Sequence, residues 1–177
     1  MKVKNIIKLK DCLDCHKDRC CEFKYSEIKY APVLMAEEVG AIKKNYKVNC
    51  FVRYKKSDDI FQIKLRKSKK GKFYICPFLN KEKLCKIHAI KPFDCQFWPF
   101  ILTKSKDGKS TYICLDAEEC LGFKNISKKE LEKHKRYIME LFKSKKGADF
   151  LNRFYGLCWD YDPDLKVIAK MKNKKAA

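Results

Sequence analysis

The sequence is short of glycine, histidine and long apolar runs, and each shortage excludes a class of protein. Its six glycines form neither a phosphate-binding loop nor a glycine-rich methyl-donor site. Its three histidines include no His-Glu-x-x-His zinc-protease motif. No apolar run approaches the roughly 20 residues that cross a bilayer, and the basic N-terminus lacks the apolar core and cleavage site of a signal peptide. We therefore expect a cytoplasmic protein with no membrane partner.

Arginine is also scarce, which weakens the case for nucleic-acid binding that the net charge of +20 first suggests. The 42 Lys and Arg residues outnumber the 22 Asp and Glu residues, and such an excess attracts the phosphates of nucleic acids. Side chains that read bases or clamp a phosphate at two points are most often arginines, however. Only five arginines occur, and the lysines are spread along the whole chain. A basic zinc module that binds nucleic acid is therefore kept only as an alternative function.

Apolar patterns indicate a folded chain that contains both helices and strands. Hydrophobic residues make up 46% of the sequence, which is the ordinary share of a globular protein. Apolar residues at helical spacing between 35 and 42 predict one helix. A capping box of Ser127 and Glu130 opens the clearest helix, Gly147 is expected to end or interrupt it, and a further helical stretch follows at 148–157. Short alternating patterns separated by turn residues predict antiparallel strands at 50–55, 60–66, 72–76, 100–103 and 111–114.

These elements predict an α+β fold in two parts. Residues 1–123 are expected to form a small cysteine-rich domain of short antiparallel hairpins and helices around a metal site. Residues 124–177 are expected to form a helical C-terminal extension that packs on it, with a basic, frayed tail from residue 170.

The eleven cysteines point to metal binding. Thiols in the cytoplasm are kept reduced, and an odd number of them also argues against a disulfide framework. Eight of the cysteines occur in clustered motifs of the kind that ligate metals through thiolates. The predicted metal ligands are Cys12, Cys15, Cys20, Cys21, Cys76, Cys85, Cys95 and Cys120.

Spacing among the first four of these cysteines indicates which of them can bind the same metal. Cys12 and Cys15 have the two-residue gap that lets a tight turn direct two sulfurs to one metal. Adjacent side chains diverge in extended backbone, so one tetrahedral ion cannot readily use both Cys20 and Cys21. Either the doublet serves two sites, or one cysteine ligates while the other packs nearby.

Taken together, the motifs between about 12 and 123 resemble the cysteine-cluster (CxxCxxCC, YkgJ-type) family, which is described as zinc- or iron-chelating domains. The resemblance implies a metal site, and it also raises protein lysine methylation, because flagellin lysine methylases carry a similar cluster. Four residues separate Cys15 from Cys20, where the family usually has two, and Lys91 and Gln96 stand where arginine is usual. The motifs that carry the resemblance are the cysteines ending in Cys20-Cys21, the stretch 76–79 with Cys85 and His88, and the stretch 95–100.

The sequence favours an iron–sulfur cluster over zinc, with the two together as a further arrangement. Four thiolates suit either metal, but eight cysteines that include a doublet favour the cluster. The predicted function is a metal-binding protein, either structural or a redox or iron–sulfur carrier, with a protein partner left open. The alternative from another class is a cluster-containing enzyme such as a protein lysine methylase. The sequence leaves open whether the chain is an enzyme.

The remaining three cysteines and two of the histidines are not counted among the predicted ligands. Cys50, Cys114 and Cys158 lie in apolar contexts and are expected to pack in the core, with Cys114 the most plausible exception. His16 and His88 are substitute ligands that the sequence leaves open.

Four aromatic residues around the third cysteine motif allow two interpretations. Phe93, Phe97, Trp98 and Phe100 could stack on bases, but we expect a hydrophobic shell that keeps water from the metal. His134 is expected on the exposed side of the C-terminal helix, in a structural role.

Overall fold

The predicted α+β class is confirmed by the computed structural model, which combines short helices with small, mainly antiparallel sheets. The chain forms two compact units, an N-terminal unit (Leu9–Gln96) and a C-terminal unit (Phe97–Ala177 together with Met1–Lys8). The predicted domain boundary at residue 123 falls inside the second unit. None of the helices described has the length and apolar character needed to cross a membrane. The structure describes residues 3–7, 20–55, 57–69, 71–116, 121–154, 157–160 and 164–172.

Two three-stranded antiparallel sheets form the framework of the N-terminal unit. One has the strand order β1-β6-β5 and the other β2-β4-β3. Strands lie within the predicted regions 50–55, 60–66 and 72–76, whereas β1 and β2 were not predicted, and several of the strands are only two or three residues long. The strands are β1 (Glu22–Phe23), β2 (Val33–Met35), β3 (Phe51–Arg53), β4 (Ile60–Ile63), β5 (Arg66–Lys67) and β6 (Tyr74–Ile75).

Two α-helices and two 3₁₀ helices complete the described part of this unit. The predicted helix between 35 and 42 is present, and it begins at Ala36 because residues 33–35 pair as a strand. Val39 and Ile42 are buried on its inner face, in one apolar cluster with Cys76. The helices are a 3₁₀ helix at Tyr25–Tyr30, α1 (Ala36–Asn45), a 3₁₀ helix at His88–Ile90, and α2 (Phe93–Phe97).

A four-stranded sheet of order β10-β8-β7-β9 lies in the C-terminal unit. The hairpin predicted around residues 106–109 is confirmed as β7 and β8, and β9 joins the edge of β7 in parallel. The expectation of a helical extension is wrong for β9 and β10, and the expectation of a frayed tail from residue 170 is wrong for residues 170–172. These residues belong to β10, which pairs with β8 and keeps Met171 half-buried while its lysines face solvent. The strands are β7 (Phe100–Lys104), β8 (Ser110–Leu115), β9 (Trp159–Asp160) and β10 (Lys166–Lys172).

Helices of the C-terminal unit begin where side chains cap them. The predicted capping box is confirmed, since the Glu130 N–H donates to Ser127 Oγ at 3.2 Å and the Ser127 N–H donates to Glu130 Oε2 at 3.0 Å. Ser144 ends that helix and caps the next, accepting from the Gly147 N–H at 3.1 Å. The second helix therefore starts at Lys145, earlier than predicted. The helices are α3 (Leu121–Lys124), α4 (Lys128–Lys143) and α5 (Lys145–Arg153).

Candidate metal centre

The predicted ligands that the structure describes all lie in the N-terminal unit. Of the other predicted ligands, Cys12, Cys15 and Cys120 lie outside the described residues, as does His16. The described ones are Cys20, Cys21, Cys76, Cys85 and Cys95.

Strand register brings the first two thiols together. Strands β1 and β6 pair Glu22 with Ile75, so the next step of the ladder sets Cys21 opposite Cys76. The Cys76 N–H donates to the Cys21 carbonyl at 2.8 Å. Residues directly opposite in an antiparallel pair share a face of the sheet, and here the two sulfurs are hydrogen-bonded to each other.

A turn and a short hairpin after Cys76 position the third thiol. The backbone N–H groups of Phe78 and Leu79 both donate to the Cys76 sulfur. The chain then doubles back, so that Leu79 bridges to Cys85 and the Lys86 N–H donates to the Phe78 carbonyl at 2.8 Å. Cys85 is thereby held beside the turn that carries Cys76.

Two carboxylates fix the helix that carries the fourth thiol. Cys95 lies on α2, and the neighbouring Asp94 accepts from the Val33 N–H at 3.1 Å through Oδ2. Glu38 on α1 accepts from the Phe93 N–H, the first residue of α2, at 2.7 Å. Both bonds tie α2 to the β2–α1 segment. The position of Cys95 therefore depends on two acidic side chains that are not themselves predicted ligands.

The pKa values of the hydrogen-bonded thiols Cys21 and Cys76 are shifted in opposite directions. The pKa of Cys76 is lowered, because the Cys21 thiol donates to it and the amides of Phe78 and Leu79 outweigh part of its burial. The positive charge of Arg66 lowers it further. The pKa of Cys21 is raised well above its ordinary value by the same hydrogen bond and by burial. Of the two sulfurs, Cys76 is therefore the one that loses its proton more readily, and Cys21 is the hydrogen-bond donor.

The other thiols are close enough to affect this pair through their charge. Negative charge on Cys20, Cys76 or Cys95 raises the pKa of Cys21 further. Burial raises the pKa of Cys95 first of all, and charges on Asp94, Cys76 and Cys85 add to the rise. Thiolates gathered in this way repel one another, and a metal cation is the ordinary means of offsetting such repulsion.

Cys50 belongs to the same cluster, although the sequence predicted only core packing for it. It is half-buried and packs on the apolar cluster around Cys76, together with Cys21 and Cys85. Its pKa is raised by burial and then by negative charge on Cys76. Nothing in the surrounding sequence distinguishes Cys50 from an ordinary strand residue. Only the tertiary fold brings it to the thiols.

His88 offers a nitrogen near the third thiol. Its N–H donates to the Cys85 carbonyl at 3.2 Å, and its side-chain Nε2 is buried without a hydrogen-bond partner in the described structure. Burial, and then the charge of Lys91, lowers the pKa of His88. A neutral imidazole has a lone pair available to a metal, which fits the substitute-ligand interpretation.

Cysteines of the C-terminal unit lie in a different environment. Cys114 is fully buried with its Sγ 3.4 Å from Thr103 Oγ1, and Cys158 is hydrogen-bonded to the side chain of Thr111. Burial raises the pKa of Cys158 to about 12. Both are packed in the core, as the sequence predicted. The exception considered for Cys114 depends on Cys120, which lies outside the described residues.

Three of the four aromatic residues around Cys95 are too buried to stack on bases, and the fourth, Trp98, is half-buried. Phe93, Phe97 and Phe100 are each 2% exposed. Phe97 packs in the C-terminal unit with its ring 5.7 Å from that of Phe142. The expectation that His134 is exposed is wrong, because it shares the inner face of α4 with Phe142 and stacks on Phe100 at 5.5 Å.

Among the described residues, no group of three or more His, Cys, Asp or Glu side chains has an arrangement that could hold a metal ion. No protein-family model, curated protein or solved structure matches this chain. Any functional assignment therefore rests on the chemistry and placement of the thiols themselves.

Proposed function

We propose that this is a metal-binding protein whose cysteine thiolates hold an iron–sulfur cluster, with zinc as the alternative or additional occupant. The observation that carries the proposal is the sulfur-to-sulfur hydrogen bond between Cys21 and Cys76, with further thiols of the same unit close enough to act through their charge. Charge on Cys95 acts on Cys21, and charges on Cys76 and Cys85 act on Cys95. Thiols that only fill core space, such as Cys158, do not gather in this way.

The separation of the thiols along the chain favours a cluster over a single zinc ion. The N-terminal unit contains six described thiols, and Cys12 and Cys15 precede them in sequence. A zinc ion gathers its four ligands around one atom. An iron–sulfur cluster distributes its cysteine ligands over separate irons. Ligands that come from a strand, a turn, a hairpin and a helix then need not meet at one point.

The surroundings of the thiols suit a bound cluster. Amide donors such as those at Cys76 stabilise a thiolate and, in metal sites, tune the bound group. Phe78 and Ile87, both 2% exposed, are buried in the cluster that contains Cys76 and limit the access of water. When bound, the cluster would supply one-electron transfer or structural cross-linking. The resemblance to the cysteine-cluster family supports the same assignment.

Metal analysis of protein prepared without oxygen tests the proposal. We expect a brown protein with a broad sulfur-to-iron absorption and with iron and acid-labile sulfide in similar amounts. A colourless protein that contains zinc alone would assign the site to the alternative occupant. A protein that retains neither metal, even after incubation with iron, sulfide and zinc under reducing conditions, would overturn the proposal.

A matched pair of cysteine variants locates the site. Cys76→Ala removes the central thiol, whereas Cys158→Ala removes an equally buried thiol from the C-terminal unit. We expect Cys76→Ala to lose the metal and Cys158→Ala to keep the wild-type amount. Equal metal content in the two variants would contradict the placement of the centre.

A further inference from the structure

The loop between β5 and β6 concentrates positive charge on the N-terminal unit. Residues 64–72 include six lysines and arginines and no acidic residue. Arg66, Lys67, Lys69 and Lys72 are all exposed.

The loop is held in a defined hairpin. Lys67 pairs with Tyr74, and the Ser68 N–H donates to the Phe73 carbonyl at 2.8 Å. The Gly71 N–H donates to the Ser68 carbonyl at 2.9 Å, with Gly71 at a φ of 72° that glycine adopts readily. The cations are therefore presented on an ordered turn.

Aromatic rings lie beside these cations and face solvent. Tyr25 is 78% exposed, and its ring centroid is 6.1 Å from that of Tyr74. Tyr74 is directly opposite Lys67 in the β5–β6 pair, so the two side chains share a face of the sheet. Phe73, next along the strand, is 41% exposed. Large exposed aromatic rings at a cationic turn are poorly explained by packing.

The positive charge of the turn is not neutralised locally. In the described part of the chain, no carboxylate comes within ion-pair distance of Lys67, Lys69 or Lys72. Glu27, on the adjacent 3₁₀ helix, instead lies 3.6 Å from Lys24. A polyanion could therefore approach the turn without displacing an internal partner.

We propose that the basic hairpin, defined as residues 64–69 and 71–74 with Tyr25, binds a single strand of nucleic acid. Phosphates lie along Lys67, Lys69 and Lys72, while one base stacks on the exposed ring of Tyr25. Proteins that bind single strands combine a cationic track with aromatic platforms in this way, because unpaired bases offer their faces for stacking. Stacking and phosphate contacts ignore the 2′-hydroxyl, so RNA and DNA strands are expected to bind alike. The proposal does not rest on the proposed metal centre, although Arg66 of the hairpin also acts on Cys76 through its charge.

Binding is measured on the full chain by fluorescence anisotropy with labelled oligouridine and oligothymidine of about 20 nucleotides. We expect similar affinity for both strands, weaker binding to a duplex of equal length, and an affinity that falls with salt by a log–log slope of roughly −0.7 per phosphate neutralised. Equal or tighter binding to the duplex would overturn the proposal. So would binding to vesicles that contain phosphatidylserine in the absence of binding to either oligonucleotide.

Matched variants separate this site from the general attraction of a basic protein. Tyr25→Ala is expected to weaken binding about tenfold, whereas Tyr25→Phe keeps a stacking ring and wild-type affinity. The triple reversal Lys67→Glu, Lys69→Glu, Lys72→Glu is compared with the same reversal at Lys143, Lys145 and Lys146, which are also exposed. We expect a far larger loss from the hairpin triple, and equal losses would contradict the proposal, as would wild-type affinity in Tyr25→Ala. Circular dichroism and metal content, measured for every variant, distinguish lost binding from lost folding.

Discussion

The two units contain buried cysteines in opposite chemical situations. Cys76 in the N-terminal unit and Cys158 in the C-terminal unit are 5% and 1% exposed. Cys76 receives hydrogen bonds from a second thiol and two amides, which lower its pKa, whereas burial raises the pKa of Cys158 to about 12. Burial alone therefore does not tell a ligand from a core residue. The groups that surround the sulfur distinguish the two.

Metal removal should have the largest effect and should separate the two units. If the thiols bind a structural metal, chelation under reducing conditions removes binding free energy on the order of 10 kcal/mol from the N-terminal unit. Hydrogen exchange is expected to accelerate strongly in peptides that cover residues 72–90 and to change little in those that cover 100–115. Restoring iron and sulfide should restore protection. Loss of protection in both peptides, or in neither, would contradict the claim that the metal stabilises only the N-terminal unit.

A substitution at Gly147 should destabilise the C-terminal unit and leave the N-terminal unit unchanged. A Cβ added at Gly147 would overlap the Leu141 carbonyl oxygen and lie 2.7 Å from the Phe142 Cα, so Gly147→Ala forces α4 and α5 apart. We expect the free energy of unfolding of the C-terminal unit to fall by about 2–3 kcal/mol and the metal content to stay unchanged. Both tryptophans, Trp98 and Trp159, belong to this unit, so their fluorescence during urea unfolding measures it directly. An unchanged midpoint would contradict the proposed close contact.

Gly147 also shows what local sequence signals can and cannot predict. The helix opened by Ser127 and Glu130 and the hairpin around residues 106–109 were both predictable, because a capping box and a polar turn act within a few residues. Gly147 was predicted to end or interrupt that helix, but the break lies at Ser144 and Gly147 is inside the next helix. Its physical role, which is to let one backbone approach another, depends on the tertiary fold.

The candidate site was predictable only as a list of residues. The two-residue strand β1 carries no usable periodicity, and the pattern that predicted a strand at 72–76 does not identify its partner. The register that sets Cys21 against Cys76 could therefore not be inferred. The same limit hid Cys50, which approaches the thiols through packing alone. The carboxylates of Glu38 and Asp94 also gave no signal, because their partners are backbone N–H groups distant in sequence.

Those two carboxylates allow a test within the N-terminal unit. Asp94→Ala removes the acceptor for the Val33 N–H and loosens the helix that carries Cys95. We expect metal retention to weaken about 10- to 100-fold in competition with a chelator, the usual cost of losing a group that supports a ligand. Asp94→Asn keeps an acceptor oxygen and should stay near wild type. If the alanine variant also holds metal as tightly as wild type, Asp94 does not position Cys95.

The smallest expected effect is a pH dependence that belongs to the C-terminal unit. Burial, and then the charge of Lys4, lowers the pKa of His134 in the folded state below the ordinary value of about 6.5. The folded state thus favours the neutral ring, so its stabilisation is complete above the unfolded pKa and is lost as the pH falls from there through the folded pKa. Each unit by which the pKa is lowered corresponds to about 1.4 kcal/mol. Urea unfolding followed by tryptophan fluorescence should show lower stability at pH 5 than at pH 7.5, and His134→Phe, which keeps a ring to stack on Phe100, should reduce that difference. Cys158→Ala leaves His134 in place and should keep the wild-type pH dependence. An equal dependence in His134→Phe would mean that the acid sensitivity arises from another group.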